Sequence, residues 1–510
     1  MTRRAILRPS RALTLLVLPV LIAVAASARP GSGAEAAKES WTGLYFNGRK
    51  IGYASVTTAP ATWNGRQALR LTMTSVARLE MFGNKVSQDT TGFTITDSTY
   101  KPLYSEYNIA SNGSQVMIKA DYQPGRIVCT VNSGGAPVRK EVPVPKGANL
   151  AADSDDVVQG KTLAVGQKMT FYFLEPLSIS LMKSDVEVQA EEQVKTDAGT
   201  VKAFRVLSTT PMGPMTSWQT ASGELLKGEL PLGMAMFRES KATAKNLTTT
   251  PPRFAIVGQA PSANPYIPPK DFAQATAVEI NRPIENPRSV KSLTITLSGI
   301  DDPKLILSDA RQHAEKLSSG ANHANQWHMT ILAKAFDPAK SVSLPIHESA
   351  VQGQLSRAPY LEIDDPQVAK LAARIRGQET NAYRVAVAIH DWVNRNMTPD
   401  YSIGVPRSCV EINGRRRGVC RDYATLFCGI ARAAGIPTRV CGGMVFAEGK
   451  FFYHAWAECW VGEWVPFDPT LKQSDFVDAT HIKFAQGDVT DMFQVAAVVG
   501  RAKVSIESVD

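Results

Sequence analysis

Three residues near the C-terminal end of this 510-residue sequence carry the side chains that nucleophilic acyl transfer requires. Cys420 supplies a thiol, His454 an imidazole and Asp468 a carboxylate. A thiolate is a strong nucleophile, a neighbouring histidine can take its proton and return it, and a carboxylate can fix the tautomer of that histidine. We therefore predict a Cys420–His454–Asp468 catalytic triad, which requires that the fold bring the three side chains together.

The cysteine is predicted to lie at the N-terminus of a helix. Between Arg421 and Ala434 the apolar residues recur at helical spacing. Gly435 and then Pro437 follow, which is a typical end of a helix. Unpaired N–H groups and the macrodipole favour an anion at a helix N-terminus, so we expect the pKa of the Cys420 thiol to fall.

Strands are predicted to carry the histidine and to lead to the aspartate. Thr438–Phe446 and Phe451–Val461 read as two strands joined by a short turn, and His454 lies within the second. A third short strand, Glu463–Phe467, ends just before Asp468. Packing of these strands against the helix would complete the triad.

This stretch resembles the transglutaminase-like superfamily, a branch of the papain-like cysteine enzymes. The matching segments are GVCRDYA at Gly418–Ala424, AGIPTRV at Ala434–Val440, HAW at His454–Trp456 and DPT at Asp468–Thr470. The resemblance covers about the last third of the chain. It implies a papain-like α+β catalytic domain that forms a thioester on peptide or carboxamide bonds, with neither a metal nor an organic cofactor.

The resemblance leaves the outcome of the reaction open. If water resolves the thioester, the protein is a peptidase or amidase; if a lysine does, it is a cross-linking protein-glutamine γ-glutamyltransferase. For an exported bacterial member we favour hydrolysis. The alternative class is a non-catalytic scaffold that binds components of the cell envelope, and a Cys420→Ala substitution would separate the two classes.

Other residues are candidates for the walls of the site. Transglutaminase-like enzymes often complete the oxyanion hole with a side chain upstream of the cysteine. Trp392, Asn396 and Tyr401 lie in that zone, and the sequence does not choose among them. The main-chain N–H of Cys420 is the other expected donor. Trp456 is a candidate for the wall of an acyl-binding cleft.

Three histidines elsewhere, His313, His323 and His328, lie within 16 residues of one another. Their spacing matches no familiar metal site, and no cysteine accompanies them. We therefore predict no metal site here.

The rest of the chain is predicted to form two mainly antiparallel β domains ahead of the catalytic domain. Short alternating segments separated by Gly, Asn and Asp predict an all-β domain, either a half-barrel or a sandwich, at 38–249. A proline-rich linker is predicted at 250–275, because prolines fix φ and remove donors. A small β domain is predicted at 276–350 and the catalytic domain at 355–505, which gives an α+β protein.

The N-terminus predicts export. Residues 1–28 have a basic start, an apolar run and Ala26-Ser27-Ala28 at a fitting cleavage position, as in a signal peptide. We therefore expect a periplasmic or extracellular protein, attached to a membrane only if the signal stays uncleaved. The net charge of +9 includes four arginines in this segment, and the remaining excess is too small to predict a nucleic-acid partner. The expected partners are a protein or peptide substrate and, through the first β domain, envelope components.

Overall fold

The computed structural model describes residues 38–152, 163–259, 271–317 and 325–510. The signal peptide predicted at 1–28, His323 and residues 260–270 of the predicted linker lie outside the described residues. Within the described ranges, no helix has both the length and the apolar character needed to cross a bilayer.

Fifteen strands from the first half of the chain form one antiparallel sheet, which we call the large sheet. They are β1 Lys38–Phe46, β2 Arg49–Trp63, β3 Arg66–Met81, β4 Asn84–Thr96, β5 Pro102–Ser111, β6 Ser114–Gln123, β7 Arg126–Asn132, β8 Val138–Pro143, β9 Lys168–Glu175, β10 Ser180–Thr196, β11 Gly199–Thr210, β12 Gly213–Gln219, β13 Leu225–Leu230, β14 Met234–Arg238 and β15 Phe254–Ile256. Their order is β15-β10-β11-β12-β13-β14-β1-β2-β3-β4-β5-β6-β7-β8, and β9 pairs with β10. This unbroken pairing does not match the sandwich alternative, which needs two separately paired sheets.

Alternating side chains and tight turns explain these strands. Along β6, for example, buried and exposed residues alternate through eight positions, so one face of the strand packs on the core. Two-residue turns at Asn64-Gly65 and Asn112-Gly113 join neighbouring strands, and all four residues have positive φ. Asparagine and glycine tolerate this conformation, which suits the twist of a hairpin.

The hairpin between β3 and β4 differs from these, because its turn is Phe82-Gly83 and the phenylalanine has a φ of +47°. The centroid of the Phe82 ring lies 5.4 Å from that of Tyr401 and 5.7 Å from that of Phe452. The tip of this hairpin therefore contacts the C-terminal part of the chain.

A second sheet has four antiparallel strands, in the order β17-β18-β16-β25. They are β16 Ser292–Ser298, β17 Gln312–Lys316, β18 Gln326–Leu332 and β25 Lys503–Val509. The small β domain predicted at 276–350 therefore takes one strand from the far end of the chain, and the boundary predicted at 505 falls inside that strand. Sequence reasoning missed this pairing because β16 and β25 are more than 200 positions apart.

The C-terminal domain combines helices with a third sheet, in the order β23-β22-β21-β24. Its elements are α3 Pro366–Arg376, α4 Ala382–Asn396, β19 Thr398–Pro399, α5 Cys409–Arg415, β20 Arg417–Gly418, α6 Cys420–Ala433, β21 Thr438–Ala447, β22 Lys450–Trp460, β23 Trp464–Phe467 and β24 Ile482–Gly487; two short helices precede it, α1 Lys241–Lys245 and α2 Phe272–Thr276. The helix and strands predicted around the triad agree with α6 and β21–β23 to within one residue at each end. The predicted α+β class, with antiparallel β regions ahead of a papain-like domain, is confirmed.

The three sheets share a core. Buried apolar side chains from the large sheet, the second sheet, α6 and β22 form one continuous cluster, which includes Ile118, Ile295, Ala424 and Tyr453. A second cluster joins α3, α4 and α6 to β22 and β23. The start of α6 is therefore held by packing on several sides.

Candidate active site

Cys420 is the first residue of α6 and is only 1 % exposed. The Asp422 carboxylate accepts a hydrogen bond from the main-chain N–H of Val419, 2.9 Å away, which closes the first turn of the helix. Arg407 binds the same carboxylate across 3.1 Å. The thiol therefore lies at a fixed helix N-terminus, where the macrodipole favours a negative charge.

His454 lies in the middle of β22, and its Nε2 atom is 2.7 Å from Oδ2 of Asp468. Both side chains are fully buried. Gly443 faces His454 from β21, and a Cβ atom there would collide with the Trp456 ring and with the main-chain oxygen of Ile482. Glycine at this position therefore permits the close packing around the histidine.

Asp468 follows β23 directly, and its surroundings fix its orientation. Its Oδ1 atom accepts hydrogen bonds from the main-chain N–H groups of Thr470 (2.8 Å) and Leu471 (3.1 Å). Its own main chain pairs with that of Gln473. The other carboxylate oxygen, Oδ2, is thus held toward His454.

The charges of the three residues stabilise one another. Burial alone would lower the pKa of His454, but the Asp468 carboxylate and the Cys420 thiolate raise it to about 10. Burial would likewise raise the pKa of Asp468, but the charges of His454 and His481 and their hydrogen bonds hold it well below its usual range. Nδ1 of His454 is buried and meets no oxygen or nitrogen partner of hydrogen-bond geometry among the described residues, so it remains to exchange a proton with Cys420.

His454, Asp468 and His481 place three ligand-type atoms within 4.8 Å of one another. The two Nε2 atoms lie 2.7 and 3.1 Å from the same Oδ2 atom. Ligands around one tetrahedral ion at roughly 2.0 Å stand about 3.3 Å apart. The 2.7 Å contact is shorter than that, so hydrogen bonds account for this cluster.

The histidines that the sequence singled out at 313–328 have other partners. His313 pairs with Glu315 (3.0 Å) and His328 with Glu507 (3.2 Å). Both side chains are well exposed, so these are surface contacts.

The structure shows contacts for each side chain that the sequence made a candidate oxyanion donor. The Asn396 amide donates to the main-chain oxygen of Trp392, one turn back on α4, across 2.8 Å. The Trp392 ring packs under the guanidinium of Arg416. Tyr401 contacts Phe82 of the large sheet. An oxyanion role for these side chains, like that of the main-chain N–H of Cys420, stays a prediction.

Trp456 requires a correction. The sequence made it a candidate for a cleft wall, but its side chain is fully buried. Its ring is nearly parallel to that of His454 at 6.2 Å and perpendicular to that of His481 at 5.2 Å. Strand alternation places Trp456 and His454 on one face of β22, but it cannot predict that a further layer of the protein covers this face.

Sequence reasoning missed three residues that contact the aspartate segment. Nε2 of His481 lies 3.1 Å from Oδ2 of Asp468, and Nε2 of His390 lies 3.2 Å from its main-chain oxygen. The Asn394 amide donates to the main-chain oxygen of Pro469 across 2.7 Å. His390 and Asn394 are four residues apart on α4, and this shared face could have identified them. His481 lies in a loop, where no comparable pattern exists.

Comparison with known families agrees with this geometry. Residues 369–469, which include all three predicted triad residues, match the transglutaminase-like superfamily. Residues 43–238, in the large sheet, match a family described as a protein of unknown function, DUF3108. The C-terminal domain is therefore transglutaminase-like, as its motifs predicted.

Similar individual proteins cover only parts of the chain. An uncharacterized protein of Haemophilus influenzae is 34 % identical over 113 residues, which is 21 % of this chain and 30 % of the relative. An uncharacterized protein of Mycobacterium leprae is 30 % identical over 130 residues, which is 23 % of this chain and 44 % of the relative. The chain thus spans less than half the length of either relative. A solved structure of a proposed cysteine protease from Cytophaga hutchinsonii is 22 % identical, with a TM-score of 0.29, and the match covers 43 % of this chain and 86 % of that one.

Proposed function

We propose that this protein is an exported cysteine enzyme that hydrolyses peptide or other carboxamide bonds through the Cys420–His454–Asp468 triad. The observation that carries the proposal is the 2.7 Å contact between His454 and Asp468, beside a cysteine that begins a helix. The charge of the Cys420 thiolate contributes to the raised pKa of His454, which supports a thiolate–imidazolium pair. These residues lie within the segment that matches the transglutaminase-like superfamily.

Acylation begins when the Cys420 thiol gives its proton to Nδ1 of His454. The sulfur attacks the carbonyl carbon of the substrate, and the main-chain N–H at the start of α6 stabilises the oxyanion. The carbon–nitrogen bond then breaks, and His454 gives its proton to the leaving amine. A thioester and a free amine result, while Asp468 stays ionised and keeps the imidazole oriented.

Deacylation requires an acceptor that reaches the thioester. Cys420 is almost completely buried. A water molecule can reach the thioester through a smaller opening than a lysine side chain requires, and this favours hydrolysis over transfer to a lysine. Water gives one proton to His454 and adds to the carbonyl carbon; the carbon–sulfur bond breaks, and the proton returns to the thiolate. Incubation with a candidate protein substrate and monodansylcadaverine would reveal transfer to an amine instead.

The location and the wider partners also belong to this proposal. The basic and apolar composition of residues 1–28 supports export to the periplasm or the exterior. The large sheet contacts the catalytic domain through Phe82, which supports a role in presenting envelope-associated peptides or proteins to the site.

Thiol alkylation tests the triad without knowledge of the substrate. Iodoacetamide should label wild-type protein at Cys420 with an apparent pKa well below the usual thiol value of about 8.5. Burial raises the pKa of the other five thiols, so they should stay unlabelled; they are Cys129, Cys409, Cys428, Cys441 and Cys459. The Cys420→Ala variant controls for labelling elsewhere.

The His454→Ala variant completes the design. If His454 forms the ion pair, its loss should return the pKa of Cys420 to the ordinary range or higher. Labelling of native wild-type protein with an ordinary thiol pKa, or no labelling at all, would contradict the proposed enzyme and favour the scaffold alternative.

A further inference from the structure

His481 is a second buried histidine on the carboxylate of Asp468. Its Nε2 atom lies 3.1 Å from Oδ2 of Asp468, and its Nδ1 atom lies 3.1 Å from the main-chain oxygen of Asp478 and 3.4 Å from that residue's Oδ1. The side chain is fully buried. Carbonyl and carboxylate oxygens only accept hydrogen bonds, so each ring nitrogen must donate one. The contacts of His481 thus require a proton on both nitrogens.

Asp478 is held as a carboxylate on the far side of this ring. Its oxygens accept hydrogen bonds from the N–H of Thr480 (2.9 Å) and the amide of Gln473 (2.8 Å), and Arg288 lies 2.9 Å away. Burial alone would raise the pKa of Asp478, but the charge of His481 and these partners hold it well below its usual range. His481 therefore lies between two ionised carboxylates.

We propose that His481 is a positioning residue of the triad: a ring that donates from both nitrogens, anchors Asp468 and limits the basicity of His454. The inference rests on the proposed function. With His481 protonated, the charges alternate in sign along a row of five side chains: Cys420, His454, Asp468, His481 and Asp478. A carboxylate without this second cation would hold the His454 proton more tightly and slow its transfer to the leaving amine.

The two histidine rings are close enough for the charge of His481 to change the pKa of His454 appreciably. The ring centroids of His454 and His481 are 5.7 Å apart. Two like charges at this separation, with an effective dielectric constant of about 20, shift a titration by about one to two pH units. Among the described residues, the recorded side-chain contacts of His481 are with the two carboxylates, the His454 ring and the uncharged Trp456 ring.

The second sheet supplies the support for this arrangement. Arg311, at the start of β17, donates to the main-chain oxygen of Val477 across 2.9 Å, and Arg288, just ahead of β16, pairs with Asp478. Both arginines thus fix the loop that carries Asp478 and His481. Sequence analysis assigned no function to the second sheet. Its proposed function is to hold the loop that places His481 beside the triad.

Histidine NMR tests the protonation directly. With ¹⁵N-labelled histidine, full-length wild-type protein at pH 7.5 should show two buried histidines with protonated-type shifts at both ring nitrogens, His454 of the ion pair and His481. One of these two signals should disappear in His481→Gln. If that variant does not fold, Asp478→Asn provides the assignment, because removal of the carboxylate next to His481 should change the His481 signal more than that of His454. A neutral tautomer at His481 in wild type would overturn the inference.

The pH profile of iodoacetamide alkylation tests the effect on the triad. Wild-type protein should show a low-pH step as the ion pair forms and a second step near pH 10, where His454 loses its proton. In His481→Gln the second step should move to higher pH, by about one unit or more. The matched control is His390→Gln, which removes a buried histidine that contacts the main-chain oxygen of Asp468 and the side chain of Asp391 rather than the Asp468 carboxylate, and should keep the wild-type profile.

The outcomes separate the two proposals. A wild-type profile with a single ordinary thiol step means that the proposed function has failed. Two steps in wild type, with the second step unmoved in a folded His481→Gln variant, mean that the triad exists and that the role of His481 is wrong. A parallel shift in His390→Gln would also overturn the inference, because the effect would then be general to this part of the core.

Discussion

The ring of Phe82 lies 5.4 Å from the ring of Tyr401, across the contact between the large sheet and the catalytic domain. Phe82 occupies a turn position with a φ of +47°, where comparable turns of the sheet have Asn64 and Asn112. A bulky residue rarely adopts this conformation and does so at a cost in energy. We infer that contacts with Tyr401 and with Phe452, two residues before His454, stabilise it.

Phe82→Ala should therefore both destabilise the protein and open the site. Loss of a partly buried aromatic ring should lower the free energy of unfolding by about 1–3 kcal/mol. We expect alkylation of Cys420 by iodoacetamide at pH 7 to become faster, because Phe82 packs on Phe452, on the strand that carries His454. Urea denaturation and the rate of labelling measure the two effects.

Phe93→Ala is the matched control for Phe82→Ala. Phe93 is also a partly buried ring of the large sheet, but it faces Tyr104 of the same sheet. Its loss should reduce stability and leave the labelling rate unchanged. Equal labelling rates in Phe82→Ala and wild type would show that the hairpin does not cover the site.

Asp468→Asn should shift the alkaline limit of the ion pair to lower pH. Burial lowers the pKa of His454, and the Asp468 carboxylate is the larger of the two charges that raise it to about 10. Without that charge, the imidazolium should lose its proton well below pH 10. Since a folded-state pKa above the unfolded value of about 6.5 stabilises the protein at low pH, the variant should also lose stability below pH 6.5.

The alkylation profile and urea denaturation at pH 6 and pH 9 measure these effects. On a peptide substrate, kcat should fall by about 10²–10⁴-fold. An unchanged alkaline step in Asp468→Asn would show that Asp468 does not act on His454.

Lys483→Met should be strongly destabilising. Lys483 is almost fully buried and lies 2.8 Å from Glu458, which also binds Arg439 at 2.7 Å. Lys483 also binds Asp309, 2.5 Å away. Loss of one partner from such a buried ion network costs about 3–5 kcal/mol. The double variant Glu458→Gln/Lys483→Met should lose less than the sum of the single variants, since both members of the pair are then removed.

The exposed pair of Lys334 and Glu463, 3.4 Å apart, supplies the control for Lys483→Met. Lys334→Met should leave the urea midpoint unchanged within error, because exposed pairs contribute little. Equal effects of the two lysine substitutions would contradict a structural role for the buried pair.

Glu362→Gln should change how stability depends on pH. Glu362 lies between the large sheet and the catalytic domain, with Ser133 at 3.4 Å and Cys409 at 3.7 Å. Burial raises the pKa of Glu362 to about 7, although hydrogen bonds oppose the shift. The folded state therefore binds an extra proton between about pH 4.5 and 7, and this residue's contribution to stability, up to roughly 3 kcal/mol, is lost as the pH rises through that range.

Urea denaturation between pH 5 and 8 measures this slope. It should flatten in Glu362→Gln and persist in Glu411→Gln, which alters a second carboxylate of the same contact, bound to Ser114. An identical slope in wild type and Glu362→Gln would contradict the prediction.

Local features of the sequence were sufficient for the elements that carry the triad. The helical spacing after Cys420, the alternation around His454 and the DPT segment at Asp468 predicted α6, β22 and the end of β23 to within one residue. These signals are local because capping, periodicity and turn residues act within a few positions of one another. The pairing of His454 with Asp468 was predicted from the chemistry of their side chains, and the family resemblance pointed to the same residues.

Contacts between distant segments could not be predicted in this way. The position of His481 beside Asp468 depends on a loop that Arg288 and Arg311 hold from the second sheet, more than 150 residues earlier. The burial of Trp456 depends on the same layer. Such features arise from tertiary packing, which propensity and periodicity do not encode.

The strand at Lys503–Val509 pairs with β16 after the whole catalytic domain has intervened. In the order of the chain, the transglutaminase-like domain is thus inserted between two neighbouring strands of the second sheet. An exchange of residues 355–505 alone would cut through β25 and leave β16 without a complete partner strand. A folded chimera would therefore require the second sheet and the C-terminal domain to be exchanged together, with borders other than those that sequence motifs predict.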